Sequence, residues 1–102
     1  MDLTSEQVAT IVAWGELTEI VKEIILFGSR AKGTSRQDSD VDLALTLTHA
    51  NPWPAFLANG EQWQNDLRAS TGLNVNLESL DGPEADKIRL YVGECSRILF
   101  TR

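Results

Sequence analysis

From Asp40 to Thr48 the chain alternates without a break. Val41, Leu43, Leu45 and Leu47 are apolar, and Asp40, Asp42, Ala44, Thr46 and Thr48 fall between them. Period two over this length predicts a half-buried β-strand. Ahead of it, Ile24-Ile25-Leu26-Phe27 reads as a short buried strand, ended at once by Gly28. Behind it, Leu73, Val75 and Leu77 alternate with Asn74, Asn76 and Glu78 and predict a second half-buried strand.

Helical spacing fills the intervals. Thr4 or Ser5 can cap a first helix carrying Val8, Ile11, Val12 and Trp14, with Gly15 as its expected end. Between Glu16 and Lys22 the pattern of Leu17, Ile20 and Val21 suits a second short helix. Ser29 to Ser39 holds no large apolar side chain and reads as a short helix followed by a surface loop. Ala50-Asn51-Pro52-Trp53-Pro54 breaks the alternating strand. Phe56, Leu57, Trp63 and Leu67 then predict a helix to about Ala69, stopped by Thr71-Gly72. Asp81-Gly82-Pro83 is a turn. Ile88, Leu90, Tyr91 and Val92 predict a last helix to Gly93, with an edge strand from Arg97 to Thr101. No linker or repeat interrupts the pattern, so residues 1–102 are expected to form a single domain mixing α and β elements.

Composition narrows the function. Nine Lys and Arg face fifteen Asp and Glu, a net charge of −6, which disfavours a grip on extended nucleic acid. A single cysteine, Cys95, excludes an internal disulfide and a cysteine-built zinc site, and a single histidine, His49, excludes paired-histidine metal motifs. No apolar run approaches the roughly 20 residues that span a bilayer. Met1-Asp2-Leu3-Thr4-Ser5-Glu6 lacks the basic start of a signal peptide. A cytoplasmic protein with no membrane contact is expected.

The segment that carries chemistry runs from Leu26 to Leu43. A buried strand delivers Gly28-Ser29 to the start of a short helix. Gly28 allows close approach of a ligand to the backbone, and Ser29 can cap the helix or bond a phosphate oxygen. Arg30, Lys32 and Arg36 follow within seven residues that contain no acid, so the local charge opposes the global one. Free amides beside these cations make an anion site. After Ser29 and ten intervening residues stand Asp40 and, two residues further, Asp42. Their carboxylates project from one strand face, roughly 6.6 Å apart along it. Two such carboxylates repel unless protonated or bridged by a cation, and Mg2+ is the natural bridge when phosphates are present. A phosphate cradle beside a carboxylate pair is a layout for metal-assisted nucleotidyl or phosphoryl transfer.

Gly28-Ser29, ten residues, then Asp40-x-Asp42-Leu43, with Leu26-Phe27 and Arg30-Ala31-x-Gly33 around them, resembles the signature of the minimal nucleotidyltransferases. These are small members of the DNA polymerase β-like superfamily, often paired with a HEPN-domain protein as a toxin–antitoxin system. The resemblance implies an α+β, polymerase β-like fold: a small mixed sheet with helices packed mainly on one face. It implies a Mg2+-dependent enzyme that takes a nucleoside triphosphate, ATP by analogy, and transfers its monophosphate to an acceptor hydroxyl. A tyrosine of a HEPN partner is the acceptor so implied. Asp40 and Asp42 would be catalytic and metal-binding, and Gly28, Ser29 and Arg30 would bind the substrate. A homodimer is left open.

The family's third carboxylate falls, by the same resemblance, at Asn76. An amide carries no charge and cannot act as a general base. Glu78 shares its strand face, roughly 6.6 Å further along. The alternative reading is therefore a catalytically degenerate antitoxin or nucleotide-binding module that works by docking. Elsewhere the expectations are plain. His49 ends a strand at the surface, Cys95 sits near a helix end, and Trp53 and Trp63 pack a helix on the sheet, with stacking on a base as the alternative. Tyr91 is expected in the core.

Overall fold

The structure is a computed structural model that describes residues 1–102. Helix α1 (Ser5–Leu17) starts at a capping box: the Thr4 hydroxyl accepts the Gln7 amide, and the Gln7 side chain accepts the Thr4 amide. The helix does not stop at Gly15 as expected. A Cβ at that position would lie 2.8 Å from Ile24 Cδ1 and 3.1 Å from the Phe100 ring, so the glycine serves close helix–sheet packing inside the helix. The second short helix does not form either. Leu17 closes α1, and Val21 opens strand β1 (Val21–Phe27), which starts three residues before the expected Ile24.

A single turn, α2 (Ser29–Lys32), leads through a loop into β2 (Val41–Leu47). Helix α3 (Pro52–Thr71) starts earlier than its apolar spacing suggests, because Pro52 and Pro54 lie in its first turn, where a missing N–H costs little. Gly72, at φ 70°, closes it in the left-handed region. Strand β3 (Val75–Ser79), helix α4 (Ala85–Glu94) and strand β4 (Ser96–Thr101) complete the chain.

The four strands lie in the order β3-β2-β1-β4. β1 runs antiparallel to both β2 and β4, and β2 runs parallel to β3, so the sheet is mixed. α1 and α3 cover one face, where Ile11, Trp63 and Leu67 pack with Ile24, Leu26, Val41, Leu43, Leu45, Val75 and Leu77. On the other face α4 adds a smaller core of Ile88 against Ile25, Phe27, Ala44 and Leu80. No helix is long and apolar enough to cross a membrane.

The aromatic residues divide between roles. Trp63 is buried and meets Trp14 edge-on at 5.8 Å, as packing predicts. Trp53 stacks on Phe56 and lies over Gly82. Tyr91, expected in the core, is 44% exposed, because α4 turns Ile88 and Val92 to the sheet and leaves Tyr91 on its outer side. His49 is exposed, and its Nδ1 accepts the Asn51 amide.

Leu67 has no exposed surface and anchors α3 to the sheet. Leu67→Ala is expected to cost about 2–5 kcal/mol in denaturant unfolding. A loss well under about 1 kcal/mol would contradict that placement.

Candidate functional site

The pairing of β1 with β2 sets the site. Phe27, the last residue of β1, stands opposite Asp42, so the Gly28-Ser29 turn and the start of β2 are brought together. Gly28 sits at φ 76°, ψ −157°, a conformation that essentially only glycine adopts. A Cβ there would lie 2.5 Å from Asp42 Oδ2. The backbone of the turn and the carboxylate are in direct apposition. Gly28 and Asp42 are fourteen positions apart in the sequence, and the fold brings them into contact.

The intervening loop is fastened from within. Arg30 is only 7% exposed. Its guanidinium donates to the carbonyls of Ser39 (2.9 and 3.1 Å), Gln37 (3.2 Å) and Asp2 (2.9 Å). The Asp2 carboxylate accepts the Ser35 hydroxyl at 2.6 Å and the Ser35 amide at 3.1 Å. These bonds hold the Asp2 carboxyl below the usual carboxylate range. Of the other cations in this turn, Lys32 pairs with Glu94 at 3.2 Å, and Arg36 is exposed. Arg30, expected to touch substrate, thus directs its guanidinium to the backbone carbonyls of Asp2, Gln37 and Ser39.

Asp40 immediately precedes β2 and Asp42 is its second residue, and Asp40 is the more exposed. Asp40 Oδ1 accepts Asn74 Nδ2 at 2.6 Å, and Asp40 Oδ2 accepts Asn76 Nδ2 at 3.1 Å. Asn76 stands opposite Asp42 in the parallel β2–β3 register. Burial is the main cause that pushes the Asp42 carboxyl above the usual range, and the charge of Asp40 adds to it, while a bond from Asn76 works the other way. Glu78, opposite Ala44, is raised as well, first by burial, then by the charges of Asp42 and Glu84. Two of the residues that shape the pair escape a reading of spacing alone. Asn74 was visible only as one polar position of the alternating strand. Arg68, which donates to Asn76 Oδ1 at 3.0 Å, comes from α3 and had no local signal.

Nowhere in the chain do three or more His, Cys, Asp or Glu side chains converge to hold a metal by themselves. The donor set is a carboxylate pair with one member raised by burial beside its partner. That suits a hard cation which arrives with phosphate oxygens and keeps its waters. Asn76 turns its NH2 toward Asp40, and its carbonyl oxygen accepts from Arg68.

The sign of the pH dependence follows. A carboxyl raised in the folded state favours the protonated form, so its stabilising share is lost as pH rises through the folded-state value. Removing the charge with Asp42→Asn is therefore expected to raise the cation-free melting temperature relative to wild type. The gap should widen from about pH 4 to about pH 7. Thermal unfolding across that range checks it, and a gap independent of pH would contradict the burial argument.

The family model of the polymerase β nucleotidyltransferases matches residues 10–102. Among solved structures, a toxin–antitoxin crystallised with AMP-PNP superposes with a TM-score of 0.74 at 20% identity, over 93% of this chain and 73% of that one. A MntA–HepT toxin–antitoxin gives 0.70 at 16% identity, over 97% and 74%. A complex of the tri-AMPylated Shewanella oneidensis HEPN toxin with its MNT antitoxin gives 0.71 at 16% identity, over 98% and 74%. No curated protein sequence matches. The mixed sheet, the Gly28-Ser29 turn set against the Asp40–Asp42 pair, and the family match over all but the first nine residues agree: the chain belongs to the polymerase β-type nucleotidyltransferase family.

Proposed function

We propose that this protein is a Mg2+-dependent nucleotidyltransferase that moves AMP from ATP to a tyrosine hydroxyl of a HEPN-domain partner and so acts as its antitoxin. The apposition of Gly28 and the Asp42 carboxylate carries the reading. It puts a backbone that can cradle phosphate within reach of a carboxylate pair that calls for a cation. The similar toxin–antitoxin structures, one with AMP-PNP and one with an AMPylated HEPN toxin, support the donor and the acceptor class.

In this mechanism the amides around Gly28 and the Ser29 hydroxyl hold the triphosphate, and Arg30 acts by fixing the loop. Asp40 and Asp42 would hold the cation. When bound, Mg2+ neutralises charge on the phosphates and polarises the α-phosphorus. The acceptor oxygen bonds to that phosphorus, the bond to pyrophosphate breaks, and the hydroxyl proton leaves. No carboxylate stands at position 76 to take that proton, so it would pass to Glu78, on the same strand and raised above its usual range by burial and by the charges of Asp42 and Glu84.

A second reading is favoured by one observation, the engagement of Asn76 by Arg68. In it the site binds nucleotide without turnover, and the protein neutralises its partner by docking. Co-expression with a HEPN-domain partner, followed by intact-mass measurement, separates the two. Transfer predicts a partner heavier by one or more adenylyl groups. An unmodified partner in a stable complex supports the docking reading and contradicts the enzyme.

A further inference from the structure

Helix α3 closes the free edge of β3 with two side chains one helical turn apart. Arg68 Nε donates to the Val75 carbonyl at 2.8 Å, and Gln64 Oε1 accepts the Leu77 amide at 3.0 Å. Such contacts blunt a strand edge that would otherwise pair with another chain. They also bracket Asn76. A terminal nitrogen of the same Arg68 reaches Asn76 Oδ1 at 3.0 Å, while Asn76 Nδ2 donates to Asp40 Oδ2 at 3.1 Å. The partners permit one orientation of this amide. A guanidinium only donates, and an ionised carboxylate only accepts. A flipped amide would set NH2 against guanidinium and carbonyl against carboxylate, losing both bonds.

We propose that Arg68 is a positioning residue that fixes the Asn76 amide with its NH2 toward the carboxylates, so that position 76 serves the site as a hydrogen-bond donor and not as a cation ligand. The inference rests on the reading that Asp40 and Asp42 hold a divalent cation with a nucleotide. It specifies how: two protein carboxylates, with the rest of the shell supplied by the triphosphate and water. The partial positive charge of the amide lies where a third acid would have added negative charge. Arg68 thus ties the closure of the β3 edge to the polarity of the site.

The test uses Mn2+ and a non-hydrolysable ATP analogue, without acceptor, and reads Mn2+ affinity by electron paramagnetic resonance. Arg68→Met frees the amide to turn its carbonyl to the ion. It is expected to raise affinity roughly tenfold in the wild-type background and by less than about twofold beside Asn76→Ala. Equal gains in both backgrounds would mean that Arg68 acts only through its charge, and would overturn the inference. Asn76→Asp offers a second arm that leaves Arg68 in place. One oxygen can keep the guanidinium while the other faces the pair, so affinity is expected to rise at least about tenfold. No change in that variant would also overturn the inference. Failure of the wild type to bind Mn2+ with the analogue would instead overturn the proposed function, and this inference with it.

Discussion

Asp42→Ala is expected to lower nucleotidyl transfer by about a thousandfold or more while leaving the fold intact. Loss of a cation-holding carboxylate removes several kcal/mol of transition-state stabilisation, and each factor of ten corresponds to about 1.4 kcal/mol. Stability should move the other way. Asp42 is half-buried beside Asp40, and its carboxyl is already pushed above the usual range, so the ionised group is a burden to the cation-free fold. The variant should melt no lower than wild type at neutral pH. Detectable transfer near the wild-type rate, with the variant folded, would remove Asp42 from the site.

Gly28→Ala should damage both activity and stability. At φ 76°, ψ −157° any side chain is strained, at a cost of about 1–3 kcal/mol. The added Cβ would also sit 2.5 Å from Asp42 Oδ2, so the carboxylate must move. Displacement of a reacting group by about 1 Å costs on the order of a hundredfold in rate. The two effects can be separated by combining the substitutions. In an Asp42→Ala background the contact is gone and only the backbone strain remains, so Gly28→Ala should cost less stability there than in wild type. An equal cost in both backgrounds would place the carboxylate away from the turn.

The strands legible in the sequence were those with a continuous or alternating apolar pattern, although Ala44 on the second face of β2 is fully buried as well. β2 and β3 showed themselves because Val41 to Leu47 and Val75 to Leu77 alternate with polar residues. α1 was misjudged at its end because Gly15 looks like a stop. Its small size serves the approach of Ile24 and Phe100, a contact that exists only after the sheet is assembled. Tyr91 was misjudged because its apolar neighbours on α4 do not all face the sheet. Leu90 and Tyr91 point outward, and Ile88 alone is buried.

For the site, the division is similar. Gly28, Ser29, Asp40 and Asp42 could be singled out from residue type and spacing. Their apposition depends on Phe27 pairing with Asp42 across two antiparallel strands, a register that spacing suggests but does not determine. Arg30 read as a phosphate ligand because a cation after Gly-Ser invites that role. Its burial against three loop carbonyls becomes visible only when the Asp2 and Ser39 backbones fold onto it. Arg68 gave no local sign at all. It lies eight residues from Asn76, across a helix end and a turn.

Between nucleotidyl transfer and docking, the position of a radiolabel decides. The wild-type chain would be incubated with Mg2+, the HEPN-domain partner, and ATP labelled at either the α- or the γ-phosphate. If the Gly28–Asp42 apposition is a transfer site, α-label enters the partner, γ-label leaves in pyrophosphate, and Asp42→Ala abolishes incorporation. Partner that binds tightly yet stays unlabelled from either position would contradict it.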